Sequence, residues 1–376
     1  MSILIKPVTT KKEQKLFIEF PNKLYKDNPY YVPPLYMDEK QIFKKDYVYY
    51  DTSDAYYFLA YKDNEVVGRI SAIHQKASNA KWKQKRLRFT RFDSIDDQEV
   101  ANALFDKVMQ IAKDNNLEEV VGPLGFSDLE REGLLIEGFD YLNTYEEQYN
   151  FPYYQKLLEN YGFKKDVDWL EHRLTLDEKK AERIINYAPM VMKRYNLRIV
   201  DNLSIKQYVK KYKDKFFEIL DIAYDNIYGS VPFTDGMKKM IIDNFKLIIN
   251  MKYLGTVEND KGEIVAFSIA FPSMSELARS HYGHLTLKDI LSFKKYINHP
   301  KHIDLGLIGI NPAIEGSSAG TLVLLAELMK AMKRDNIEYA ETNLNLETNK
   351  EILNIWGNFN TLQHKRRRSF VKKVNE

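Results

Sequence analysis

The sequence predicts an α/β protein in which one plan, a mixed central sheet flanked by helices, is used twice. A hairpin pattern, Tyr56-Tyr-Phe-Leu-Ala-Tyr61 and Glu65-Val-Val-Gly-Arg-Ile-Ser-Ala-Ile73 around Lys62-Asp-Asn64, returns as Lys252-Tyr-Leu-Gly-Thr-Val257 and Glu263-Ile-Val-Ala-Phe-Ser-Ile-Ala-Phe271. In both halves an apolar strand, an amphipathic helix and a further strand follow the hairpin. Both halves then reach a short helix, at Leu157-Leu-Glu-Asn-Tyr-Gly-Phe163 and Ile352-Leu-Asn-Ile-Trp-Gly-Asn-Phe359.

In chain order, residues 3–8 read as a strand. Residues 10–25 carry Leu16, Phe17, Phe20 and Leu24 on one helical face until Asn28-Pro29 stops the helix. After the first hairpin, Leu87-Arg-Phe-Thr-Arg-Phe92 alternates as a strand, and Val100, Leu104, Val108 and Ile111 mark a helix over 97–115. A strand at 118–122 and a helix at 152–161 complete the first copy. Amphipathic helices at 179–195 and 205–224 set the boundary, giving units 1–180 and 181–376. In the second unit Asp304-Leu-Gly-Leu-Ile-Gly-Ile310 is a strand, 311–320 a small-residue turn, 321–333 a helix and 336–342 a strand. Two inserts break the symmetry. One is a polar loop over 123–150 that includes Glu146 and Glu147. The other is a helical piece over 273–299, whose Met274, Leu277, Leu285, Leu287, Ile290, Leu291 and Phe293 either extend an apolar tunnel or belong to the core.

The chain has 376 residues, 44% of them hydrophobic, so each unit can bury a core. Charges nearly cancel at +3, which argues against a nucleic-acid coat. The absence of cysteine removes thiolate nucleophiles and thiolate metal sites. No apolar run spans a membrane and the N-terminal one is too short for a signal peptide, so a cytoplasmic protein with at most peripheral membrane contact is expected. Lys365-Arg-Arg-Arg368 reads as a solvated edge strand, and the basic run 81–88 as a solvated loop. His281 and His284 have metal-like spacing, but no acid is in view and no metal is expected.

The turn Gly316-Ser-Ser-Ala-Gly320 is the strongest chemical signal. A small-residue turn opening a helix leaves backbone N–H groups free at the positive end of the helix dipole, where a phosphate can sit. Glu341, Asn343, Asn345, Glu347 and Asn349 alternate along and beyond the next strand, so they share a face as long as the chain stays extended.

This order of elements resembles the GNAT superfamily of acyl-CoA N-acyltransferases, whose fourth strand leads into a pyrophosphate turn of pattern Arg/Gln-x-x-Gly-x-Gly/Ala. Arg91-Phe-Asp-Ser-Ile-Asp-Asp97, Gly133-Leu-Leu-Ile-Glu-Gly-Phe-Asp140 and Tyr149-Asn-Phe-Pro-Tyr-Tyr154 are similar, across nearly the whole chain, to a mostly uncharacterised bacterial family with two GNAT-like halves. The resemblance implies an acyl-CoA or acetyl-CoA co-substrate and no metal. Its pyrophosphate would lie on Gly316, Ser317, Ser318, Ala319 and Gly320, its thioester by the backbone of Ile310 and Asn311, with Asn349 alongside. Glu341 or Glu347 would take a proton from a small-molecule or lipid amine, and Glu132, Tyr149 and Asn150 would line the acceptor pocket. The sequence departs from the pattern at Glu315 and Ser318, and Leu158 and Leu353 replace a late-helix tyrosine that often serves as general acid. Asp93-Ser-Ile-Asp-Asp-Gln98 has no glycine at the first copy's turn, which implies that this copy has lost cofactor binding. Two alternatives stay open: a long-chain N-acyltransferase acting on an amino lipid or amino acid, of the ceramide-forming type, and a non-catalytic module on decayed halves.

Overall fold

The computed structural model describes residues 2–376, apart from the side chains of residues 287, 290–292, 294 and 295. Of the tunnel residues named above, Leu287, Ile290 and Leu291 therefore lie outside the described side chains. The first half supplies β1 (Leu4–Pro7), β2 (Ser53–Lys62), β3 (Glu65–Gln75), β4 (Arg86–Ser94), β5 (Glu119–Gly122), β6 (Leu134–Glu137) and β7 (Lys164–Thr175). The second supplies β8 (Arg198–Ile199), β9 (Leu254–Glu258), β10 (Ile264–Pro272), β11 (His302–Ile310), β12 (Tyr339–Thr342), β13 (Asn345–Leu346) and β14 (Asn360–Lys373).

All of them join one mixed sheet, in the order β1-β2-β3-β4-β5-β14-β7-β12-β11-β10-β9-β8. The last strand of each half lies deeper in the sheet than its own half would require. β14 sits between β5 and β7, and β7 sits between β14 and β12. They run antiparallel from Asn360↔Thr175 to Val371↔Lys164, stitching the halves together at the centre. Among the described residues no helix is long and apolar enough to cross a membrane.

The helix Gln98–Asp114 buries Val100, Leu104, Phe105 and Val108 against the first half of the sheet. Ser317–Arg334 does the same in the second half through Val323, Leu324 and Met329. This is the burial that helical periodicity predicts.

Four readings need correction. β14 is paired on both edges, so Lys365-Arg-Arg-Arg368 is not a solvated edge strand: Lys365 and Arg367 are 1% and 0% exposed. Carboxylates far away in sequence make that burial tolerable, with Arg367 Nε 2.7 Å from Glu171 and Arg368 Nε 2.7 Å from Asp168. The run 81–88 is the end of a helix, Lys76–Trp82, followed by a strand; Arg88 is buried and donates to Gly125 O and Gly229 O. The phosphate-turn helix starts at Ser317 rather than 321, so Ser317 to Gly320 form its first turn. Finally, His281 and His284 each meet an acid, Asp289 at 3.3 Å and Glu19 at 2.7 Å.

Candidate active site

β11 and β12 pair in parallel from His302↔Tyr339 to Leu305↔Thr342 and then part. β11 continues alongside β10 to Ile310, while the chain after Thr342 turns to pair Asn345 and Leu346 with β7. A wedge-shaped gap therefore opens between Gly306–Ile310 and residues 343–346. The Asn311 N–H is taken by Val265 O at 2.9 Å. In an antiparallel ladder that bond fixes the alternation, and the N–H groups of Ile308 and Ile310 point away from β10 toward the gap. The Tyr224 hydroxyl lies near the Ile308 backbone, close enough for it to offset part of the rise that burial causes in that phenol. The Ile310 N–H thus faces the gap, whereas Asn311 has its donor engaged.

Beyond β11 the chain enters the helix through Gly316, whose φ of +87° only glycine adopts without strain. No side chain caps this helix, and its first backbone bond is Gly320 N to Gly316 O at 2.8 Å, so the N–H groups of Ser318 and Ala319 have no backbone acceptor. Glu315 is exposed to solvent. The equivalent helix of the first half is closed to anions, because Asp97 caps it, accepting from Glu99 N at 2.9 Å and pairing with Lys62 at 2.7 Å. Its strand gap is also occupied: Leu124 N bonds Phe89 O at 2.8 Å and Gln148 Nε2 bonds Phe92 O at 3.1 Å.

The open gap of the second half leads into a cavity of about 1930 Å³. On one side Ile310, Pro312, Thr321 and Leu324 line it, and on another Asn349, Ile352 and Trp356; Gly316 to Gly320 lie outside its wall. The helices Ile205–Ala223 and Asp235–Ile248 add an apolar side through Ile222, Ile241, Phe245 and Ile248. The first half's 123–150 insert adds an acidic one, with Asp128, Glu132, Glu146 and Glu147 on the cavity wall.

Burial shifts the proton affinity of these acids. Burial pushes the Glu147 carboxyl up to about 8, against Arg367 and with Glu171 and Glu146 adding to it. Burial also raises Glu132 well above the carboxylate range, with Asp128 reinforcing it, and raises Asp128 and Glu146. Glu146 lies close enough to Asp304 to raise that carboxyl, and Asp304 stands just before the strands part.

Of the other expected site residues, Asn349 lines the cavity and caps the helix Lys350–Trp356, accepting from Ile352 N at 3.3 Å. Glu341 is buried at 3% exposure beneath the sheet centre, with Lys365 Nζ at 2.5 Å, His364 Nε2 at 2.8 Å and Arg173 Nε at 3.3 Å. Burial alone would raise its carboxyl, but Lys365, His364 and Arg173 outweigh it and hold the group well below the usual range. Glu347 pairs with Lys165 at 2.6 Å. Neither carboxylate lines the cavity. They do not share a face because the chain leaves the strand at Thr342. Tyr149 donates to Phe139 O at 3.2 Å, and Asn150 clamps the backbone N–H and C=O of Leu135, both as buried supports of the insert. Glu171, Glu341 and His364 converge closely enough to hold an ion, but the Lys365 ammonium lies against both carboxylates. Tyr224 and Asp128 line the cavity without having been singled out in the sequence, and Glu146 and Glu147 were noted only as part of the polar insert. The length and polarity of the insert were the one signal pointing to the acids.

No protein-family model matches the chain. A tandem GNAT protein from the clavulanic acid biosynthesis pathway superposes with a TM-score of 0.58 over 99% of both chains at 10% identity. The chain has a tandem GNAT fold. A GCN5-related N-acetyltransferase from Sphaerobacter thermophilus has a similar fold, with a TM-score of 0.51 at 11% identity over 99% of this chain and 96% of that one. In sequence, the chain is 24% identical to Protein YghO of Escherichia coli (strain K12), over 99% of this chain and 95% of that protein. It is also 24% identical to the bacterial ceramide synthase of Caulobacter vibrioides, over 97% and 96% respectively.

Proposed function

We propose that this protein is an acyl-CoA-dependent N-acyltransferase whose second half, 181–376, binds the thioester and whose first half, 1–180, has lost its own cofactor site and supplies the acceptor wall. One observation carries the reading. The strand gap after Leu305 and Thr342 opens into the cavity whose wall holds Glu147, a carboxyl that burial pushes up to about 8.

In this reading the pyrophosphate rests on the N–H groups of Ser318 and Ala319 with Gly316, Ser317 and Gly320 shaping the turn. The thioester carbonyl accepts from Ile310 N–H in the gap. An amine held at the acidic wall attacks the carbonyl carbon, forming the C–N bond as the C–S bond breaks. Its proton passes to Glu147, and the departing thiolate receives one from Tyr224, which burial and Asp128 keep protonated. The base role expected of Glu341 and Glu347 passes to Glu147 because those two carboxylates are ion-paired off the cavity. The missing late-helix tyrosine at Leu353 is replaced, in function, by Tyr224. A cytoplasmic location belongs to the same proposal.

A longer acyl donor is the second reading. The cavity exceeds the ~300–1,000 Å³ of ordinary ligand pockets, and Ile222, Ile241, Phe245 and Ile248 supply an apolar side where a hydrocarbon chain fits. Likeness to a ceramide synthase also favours it.

Isothermal titration with CoA, acetyl-CoA and palmitoyl-CoA tests both, followed by an assay for free CoA thiol released on adding amines. Binding of all three with amine-dependent thiol release is expected, and a palmitoyl preference supports the long-chain reading. Failure of all three to bind supports the non-catalytic alternative and overturns the proposal.

A further inference from the structure

The acidic wall carries more unanswered hydrogen-bonding capacity than proton transfer requires. Glu132 and Glu147 are 4% and 5% exposed, yet Glu132 Oε1, Glu147 Oε2 and both carboxylate oxygens of Asp128 are buried without a hydrogen-bond partner. Such groups ordinarily find donors.

The neighbouring cations are committed elsewhere. Arg88 directs its N–H donors to Gly125 O, Gly229 O and Ser78 Oγ, so it offsets part of the charge of Glu132 and Asp128 without donating to either; Arg131 pairs with Glu39 at 3.1 Å, and Arg367 pairs with Glu171 at 2.7 Å while staying 4.0 Å from Glu147. A single bridging metal ion does not meet the demand either. Among the described residues only Glu171, Glu341 and His364 converge within one ion's reach, and the three cavity acids do not. The unmet acceptors belong to three residues of one cavity wall that no single ion reaches together, which suits an extended molecule with several N–H donors.

We infer that the acceptor is a di- or polyamine, with one cationic nitrogen held by Asp128 and Glu132 while a second is delivered by Glu147 to the thioester. The fate of the second nitrogen rests on the acyltransferase reading; binding of the first does not. In the transfer, the delivered nitrogen, as the neutral amine, forms the C–N bond as the C–S bond breaks and loses one proton to Glu147, the CoA thiolate takes one from Tyr224, and the held ammonium is unchanged. An amino acid is disfavoured, because its carboxylate would face this wall.

The full-length protein titrated calorimetrically with 1,5-diaminopentane, n-pentylamine and 6-aminohexanoate tests this directly. The diamine is expected to bind at least about tenfold more tightly than the monoamine, which is the ratio worth about 1.4 kcal/mol, and the amino acid more weakly than either. Glu132→Gln and Asp128→Asn are each expected to shrink that ratio to below about threefold. Equal affinity for mono- and diamine, tighter binding of 6-aminohexanoate, or no amine binding at all overturns the inference, and the wild-type ratio reads it without any variant. Diamine preference without acyl-CoA binding would keep the cation site and sink the acyltransferase reading. Acyl-CoA binding without diamine preference would do the reverse.

Discussion

Asp304 and Glu341 face each other as register partners on adjacent parallel strands, and their surroundings drive them to opposite protonation states. Burial, Glu341 and Glu146 raise Asp304 well above the carboxylate range, whereas Lys365, His364 and Arg173 overcome burial to keep Glu341 ionised. Two like charges side by side in the sheet cannot both persist, and the cations lie on the Glu341 side.

Stability should follow that division. Glu341→Gln leaves the Lys365 ammonium, 0% exposed, short of its nearest counter-charge and is expected to cost about 3–5 kcal/mol. Asp304→Asn replaces a carboxyl whose charged form burial and Glu341 already disfavour and is expected to cost less than about 1.5 kcal/mol. Urea unfolding of both variants checks this, and comparable losses would contradict the assignment of charge.

Glu147 should govern the alkaline rise of activity. Its carboxyl goes from about 4.5 when unfolded to about 8 when folded, so the stability tied to its protonated form is present at acid pH and lost as pH rises through 8. The proton-accepting form grows over the same interval. kcat/KM is expected to increase with pH up to about 8, and Glu147→Gln to flatten that limb and lower the rate by about 10²–10⁴. A wild-type profile already level above pH 6 would remove Glu147 as the base.

Charge at the helix opening should control cofactor affinity without disturbing the fold. Ser318 is exposed, and an acid in the first turn favours the dipole, so Ser318→Glu is expected to leave the melting temperature within a few degrees. It is expected to weaken acyl-CoA binding about tenfold or more by facing the pyrophosphate. Glu315→Gln should tighten it a few-fold. Unchanged affinity in both variants, measured by calorimetry, would move the pyrophosphate to another place.

Tyr224→Phe removes a hydroxyl from the cavity wall beside Ile308. A fall in kcat of about 10-fold or more with little change in KM is expected of a proton donor to the leaving thiolate. A purely structural hydroxyl would instead lower stability and leave kcat alone, so the two parameters are to be measured together with the melting curve.

Much of the fold was legible because it is written in local patterns. Alternation marked the hairpins at 56–73 and 252–271, 3.6-residue periodicity marked 97–115, and the repeat of both betrayed two copies. β7 went unassigned: it carries Asp168, Glu171, His172 and Arg173, although the strand is central. β14 was misread for the same reason. Charged strands become interior only when partner charges arrive from another segment, and those partners are about two hundred residues away.

The sequence by itself determined the element types, the doubled plan and the small-residue helix opening, since each follows from near-neighbour spacing and backbone chemistry. Only the tertiary structure decided which carboxyls can act. A carboxyl's proton affinity depends on burial and on the charges around it. Lys365 and His364 silence Glu341, whereas Glu132, Asp128 and Glu147 come together on the cavity wall with oxygens that have no partner. That difference arises from how the first half's insert folds over the second half's open strands, and no spacing along the chain encodes it.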